Sequence, residues 1–382
     1  MNEEKLEAEN IDEDIEKFSQ EVFEKPSKDI KYLLVTNHIH RQLLDEELAR
    51  TGLYQWINVF KGEVKFPRDV VDYNDYDIVQ VNMSVQDVPL VNTIREQLGE
   101  NSKTKLVLNN DYTTEIWCLS FEFHDTLCRE IQGADMLFGT EYYQTTALTE
   151  LSGRKCYVLP HRADVRRLKS LTPIPKKEII STIWRRYDNY TYIPSLVVRN
   201  QGLVTQLIGY DHKVDKKTYL TTTLFDYLFA GTNYFDFCAQ LRESEIVYDP
   251  FTLHSYSRAT VDTAALGVAV VGSNRTQSIN VCYPYTAVDP YDVSAARKLI
   301  RKLLDDKEFY KKVVDTAKER VEFYNHKNSM HRYLAAMVDA LKTGRKSTRK
   351  IRKPKETERG IGDDVHYLQS KEIDRNEKQK IK

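Results

Sequence analysis

Residues 248–274 read YDPFTLHSYSRATVDTAALGVAVVGSN: an apolar strand, a loop of small and polar residues, a short helical stretch and a second apolar strand. That order sets a helix N-terminus at the mouth of a parallel sheet, where free backbone N–H groups and the helix dipole favour a phosphate. Ser257, Arg258 and Ala259 stand where the helix begins, Asp262 lies one turn in, and His254 sits in the loop before it. Plainer readings stand beside these: Asp262 as a cap or surface acid, His254 as a polar loop residue. Other polar groups close apolar runs elsewhere. Arg185 and Arg186 follow one such run; Asn37, His38 and His40 follow another, Asn82 a third, and Asn109, Asn110 and Asp111 a fourth.

The elements that must position these residues alternate along the chain. Residues 31–36 (KYLLVT), 77–82 (DIVQVN), 104–109 (TKLVLN), 135–139 (DMLFG) and 155–159 (KCYVL) are short β-rich runs ending in polar residues, the pattern of buried parallel strands. Residues 85–98 and 142–151 have helical spacing, with Gly99 and Gly153 placed as stops. The proline-bearing stretch 172–177 (TPIPKK) suits a linker. Beyond it the alternation resumes, with strands expected at 178–184, 203–209, 227–231, 245–248 and 268–272, then amphipathic helices at 292–304, 308–324 and 331–341. Any of these last helices is able to pack back over the first domain. The expected fold class is α/β, two doubly wound Rossmann-like domains facing across a cleft. The boundaries are an acidic N-terminal segment 1–28, a first domain 29–168, a linker 169–177, a second domain 178–342 with its closing helices, and a basic, disordered tail 343–382.

Composition sets limits on function. The 382 residues, 41% hydrophobic and 30% charged, exceed one ordinary core. A net charge of -1 excludes a molecule that binds nucleic acid through its overall charge. Charge is segregated at the ends: residues 3–21 hold nine acids and two lysines, while 342–355 hold eight basic residues and no acid, blocks usually met as solvated tails. The five cysteines, Cys118, Cys128, Cys156, Cys238 and Cys282, form no CxxC pair and no zinc pattern, so a reducing cytoplasmic setting is the simplest. No apolar run reaches membrane-spanning length, and the acidic N-terminus is the opposite of a signal peptide.

The second half resembles the donor domain of the large retaining GT-B glycosyltransferase family that uses nucleotide sugars. In that family a loop of the form Glu-Gly-Phe-Gly-x-x-x-x-Glu precedes Ala-x-Ala-x-Gly-x-Pro-Val-Val; here the corresponding stretches are HSYSRATVD (254–262) and TAALGVAVV (263–271). Residues 229–251 match the family's strand, helix and short strand upstream, and 286–306 match its Pro-x-Asp turn and following helix. KCYVLPHRADV (155–165) resembles the family's exit from the first domain, so the resemblance spans about 30–325 and is clearer in the second half.

What the resemblance implies is a hexosyltransferase that moves a sugar from a nucleotide diphosphate sugar to an acceptor hydroxyl, with retention. It needs no metal and no cofactor beyond the donor substrate, because arginines and a helix dipole replace the metal at the diphosphate. Asp262 takes the place of the family's second glutamate, which binds the ribose hydroxyls, and Ser257, Arg258 and Ala259 would offer the helix N-terminus to the diphosphate. His254 replaces the first glutamate, which faces the sugar and the reacting centre. Arg185 or Arg186 fills the arginine role at the leaving diphosphate; the family's lysine has no counterpart beside Asp188 and Asn189. Asp111 stands near the place of a His-Asp pair at the acceptor and would orient or deprotonate its hydroxyl. The glycine-rich loop after the first strand is missing from VTNHIHRQLLDEEL. His161 and Arg162, at the domain exit, read as hinge-surface residues in preference to cleft lining.

Two other readings stay open: a catalytically weak GT-B scaffold that binds a partner, and a transferase acting on modified DNA bases. In either, the basic tail would contact nucleic acid or an anionic membrane.

Overall fold

The computed structural model describes residues 3–36, 60, 62–83, 90–99, 102–111, 113, 115, 121–172, 174–183, 192–210, 224–232 and 234–343. The first sheet contains β1 (Tyr32–Val35), β2 (Glu63–Lys65), β3 (Ile78–Met83), β4 (Lys105–Asn110), β5 (Met136–Gly139) and β6 (Cys156–Val158), in the order β2-β1-β3-β4-β5-β6. All its pairings are parallel. Helix α1 (Glu3–Phe23) precedes it, and α2 (Leu90–Leu98), α3 (Phe121–Gly133) and α4 (Tyr142–Ser152) connect β3 through β6. Gly99 and Gly153 follow α2 and α4 at φ 72° and 64°, the left-handed geometry that ends a helix without a Cβ penalty.

After α5 (Val165–Ser170) the second sheet forms from β7 (Ile179–Ile183), β8 (Val204–Tyr210), β9 (Tyr227–Thr232), β10 (Ile246–Asp249), β11 (Ala269–Ser273) and β12 (Ala287–Val288). Its order is β12-β11-β10-β7-β8-β9, again parallel throughout. Helix α6 (Tyr192–Val198) joins β7 to β8, α7 (Tyr234–Glu243) joins β9 to β10, α8 (Arg258–Ala265) joins β10 to β11, and α9 (Gln277–Cys282) lies between β11 and β12. The chain leaves β7 toward β9, then returns to β10 on the other side of β7. The C-terminal ends of β7 and β10 therefore flank the crevice where strand order reverses, the place where open α/β sheets bind ligands.

The central strands form because both of their faces are covered: β1, β5, β10 and β11 are buried at every position. β2 and β12, which the sequence does not suggest, are edge strands of three and two residues. Their shortness and, in β2, the charges of Glu63 and Lys65 protect the sheet edge and also hide the strand pattern.

Helices α10 (Val293–Asp305), α11 (Lys307–Arg320) and α12 (His326–Thr343) close the chain. Asp292 and Asp306 cap the first two by accepting from Ala295 and Phe309 N–H. α12 returns to the first sheet: Met330, Tyr333, Leu334 and Met337 share a core with Tyr32, Leu34 and Phe138. Ile15 and Phe18 of α1 join that core, so the acidic segment expected as a tail is in part a packed helix. Val22 and Phe23 pack against the same core at the end of the helix, while Asp12 and Glu13 are exposed. The tail from 344 onward, with its expected disorder and its contacts, lies outside the described residues.

Candidate active site at the seam between the sheets

Strands β4, β5 and β6 of the first sheet and β10 and β11 of the second send their following loops to one seam. Two histidine–carboxylate pairs lie there. Beyond β4, Asp111 places Oδ1 2.9 Å from Nε2 of His161, which follows β6. His161 and Arg162 are both buried, which corrects the hinge-surface reading: the chain turns inward at the exit because the second domain covers it. Tyr256 donates its hydroxyl to the His161 carbonyl at 2.7 Å, Arg258 Nη1 donates to the Arg162 carbonyl at 2.6 Å, and Ala163 N–H donates to the Tyr324 carbonyl at 2.8 Å. Behind Asp111, Asn109 Nδ2 donates to Asn82 Oδ1 at 2.9 Å, so the polar residues ending β3 and β4 pair side by side.

The second pair crosses from one domain to the other. Glu115 Oε1 accepts the His254 backbone N–H at 2.9 Å and lies 2.6 Å from His254 Nδ1. One ring face of His254 stacks on Tyr143, with centroids 4.0 Å apart and planes at 15°. Glu141 caps α4 beneath this stack, accepting Tyr143 and Gln144 N–H at 2.6 Å each. Burial lifts the Glu141 carboxyl above its ordinary range despite those bonds, and the nearby Glu115 charge pushes the same way. Beside it, Tyr142 N–H donates to Gln277 Oε1 at 3.0 Å, a second tie across the seam.

The start of α8 is held tightly. Ser257 is its N-cap and accepts from Thr260 N–H, while its hydroxyl donates to Asp249 Oδ2 at 2.6 Å. Thr260 Oγ1 donates to the same oxygen at 2.7 Å, and Ala259 is buried beside them. Asp262 points inward with no exposed surface: Arg258 Nε donates to its Oδ1 at 2.8 Å and Tyr234 OH at 3.2 Å. Burial alone would lower the Arg258 guanidinium most, but the Asp262 charge and hydrogen bond, joined by Tyr234 and Tyr256, together outweigh it and hold the group above its ordinary value. Arg258 and Tyr234 thus share one oxygen of the Asp262 carboxylate. Arg185, Arg186, Asn37, His38 and His40 lie outside the described residues.

The structure thus brings His254, Asp111, Ser257, Arg258, Ala259 and Asp262 to one seam, together with Glu115, Glu141 and Tyr143, which the sequence does not single out. Their one signal is position, just beyond the ends of β4 and β5. Such an arrangement offers two oriented imidazoles, guanidinium groups and a capped helix start. Among the described residues no group of three His, Cys, Asp or Glu side chains could hold a metal ion, and no helix is long and apolar enough to cross a membrane.

No family model and no curated protein matches the chain. Solved structures do. HepE from Anabaena, in complex with UDP and glucose, superposes with TM-score 0.62 at 11% identity, over 82% of this chain and 100% of that one. Sucrose-phosphate synthase from Thermosynechococcus elongatus gives 0.59 at 12% identity over 82% and 100%. A UDP-forming α,α-trehalose-phosphate synthase from Burkholderia xenovorans gives 0.55 at 11% identity over 70% and 74%. With two six-stranded parallel sheets meeting at this seam, the chain has the GT-B fold.

Proposed function

We propose that this chain is a glycosyltransferase that moves a sugar from a nucleotide diphosphate sugar to an acceptor hydroxyl, with retention and without a metal. The observation that carries the reading is the β10–α8 junction: a capped helix start at the strand-order reversal of one sheet, facing polar strand ends of the other. Similar folds solved with UDP and glucose, or with UDP-glucose, support a nucleotide sugar as donor. In this reading the α8 start and the Arg185–Arg186 pair receive the diphosphate, whose charge grows as the glycosidic bond breaks. His254 faces the sugar, and Asp111, held by His161, orients the acceptor hydroxyl. Retention rests on the motif resemblance, and the cytoplasmic setting on cysteine usage.

The experiment is a thermal shift with UDP, GDP and their sugars at millimolar concentration, followed by mass spectrometry for donor hydrolysis. A ligand at 100 times its Kd stabilises by about 2.7 kcal/mol. An unchanged melting point with every nucleotide would remove the donor site.

One observation favours the weaker scaffold reading: the Arg258–Asp262 pair covers the carboxylate assigned to the ribose. That reading predicts nucleotide-independent stability and a partner bound through the basic 342–355 stretch. Deleting residues 343–382 and measuring salt-dependent binding to DNA and to anionic vesicles tests the tail; unchanged binding would dismiss it.

A further inference from the structure

Glu115 makes two contacts to one residue with a single oxygen. Its Oε1 already accepts the His254 backbone N–H at 2.9 Å when Nδ1 approaches it to 2.6 Å. A carboxylate has only lone pairs to offer, so a contact that short requires the proton to sit on Nδ1. In the neutral ring Nε2 is then a bare acceptor. The stacked Tyr143 ring covers one face and opposes rotation about the Cβ–Cγ bond. Nε2 has no hydrogen-bond partner among the described residues, and the His254 side chain keeps 33% of its surface exposed. The titratable groups facing the ring are Glu115 beyond β4, and Glu141 and Tyr143 at the start of α4.

We propose that Glu115 is a positioning residue that fixes the His254 tautomer, so that Nε2 accepts a hydrogen bond from a carbohydrate hydroxyl bound at the seam. The role assigned to the hydroxyl rests on the sugar-transfer reading; the tautomer does not. The imidazole comes from one domain and its orienting carboxylate from the other, so the acceptor atom is set only when the domains meet. A second proton on the ring turns Nε2 into a donor and reverses what it selects.

The test is long-range ¹H–¹⁵N NMR of the imidazole in the full chain, assigned with His254→Gln. The expected spectrum shows a protonated Nδ1 and a bare Nε2 in the neutral form. Glu115→Ala should release the ring toward the Nε2–H tautomer, because the acceptor that holds the Nδ1 proton is gone. An Nε2–H tautomer in the wild type, or an unchanged tautomer in Glu115→Ala, overturns the positioning role. Should the variant fail to fold, the wild-type tautomer decides alone.

The source of the hydroxyl is then read from the Nε2 resonance. A shift with UDP-glucose and none with UDP assigns it to the donor sugar. A shift with UDP plus methyl α-glucoside, and none with UDP, assigns it to the acceptor. If UDP binds and neither sugar moves Nε2, the hydroxyl role is wrong while the nucleotide site survives. If no nucleotide binds, the transfer reading fails and the hydroxyl role falls with it, while the tautomer result stands.

Discussion

The seam holds two charged pairs in opposite conditions. Arg258 and Asp262 lie on one helix turn with side chains 10% and 0% exposed, tied to Tyr234 and to the first domain's exit. His254 and Glu115 come from different domains and remain 33% and 30% exposed, with one ring nitrogen open. The first pair is closed and belongs to the architecture. The second is open, and the proposed sugar contact rests on it. The motif resemblance assigns Asp262 to the ribose, and the structure shows its carboxylate buried against Arg258 and Tyr234.

Removing Asp262 should have the largest effect, because it strands a buried guanidinium. Asp262→Ala is expected to cost about 3–5 kcal/mol in denaturant unfolding, and the apolar double variant Arg258→Met with Asp262→Leu should recover most of it. Intact stability with lost nucleotide affinity in Asp262→Ala would instead make this the open pair. Next comes Ser257→Ala, which removes the cap of α8 and a donor to Asp249, with an expected loss of about 1–2 kcal/mol by the same measurement.

Glu115→Ala should change stability by only about 0–1 kcal/mol, since the pair is partly solvated, while altering the tautomer of His254. A loss as large as that of Asp262→Ala would erase the contrast.

The smallest effect belongs to Glu141. Its folded carboxyl is raised by burial, so the native state takes up a proton at higher pH than the unfolded chain. The stability it contributes is therefore present at low pH and lost as pH rises through the raised value. Melting temperature followed over that window should show this slope in the wild type and lose it in Glu141→Gln. A slope of the opposite sign would mean the two N–H bonds outweigh desolvation.

Much of the architecture was legible because burial on both faces leaves apolar runs: β1, β3, β4, β5 and β6, and every strand of the second sheet except β12, coincide with such runs. The edge strands were not, since Glu63–Lys65 and Ala287–Val288 are too short to show a period. α1 was obscured because nine acids in residues 3–21 outweigh Ile15 and Phe18 in composition, although those two hold it to α12.

The site divides the same way. Asp111 and His254 are readable as polar residues at strand ends, but their partners His161 and Glu115 are brought to them by tertiary folding, Glu115 across 139 positions. Arg258 and Asp262 stand at i and i+4, a spacing that pairs opposite charges on a helix. That spacing signals mutual pairing, a signal that stands beside the ribose role implied by the motif.

The central claim, that the seam is a nucleotide-sugar site, is met most directly by isothermal titration of the full chain with UDP, GDP and UDP-glucose. The account predicts saturable, one-to-one binding of at least one nucleoside diphosphate, weakened by Arg185→Ala with Arg186→Ala more than binding of the bare nucleoside. No heat of binding for any of them, in protein that melts cooperatively, would contradict it.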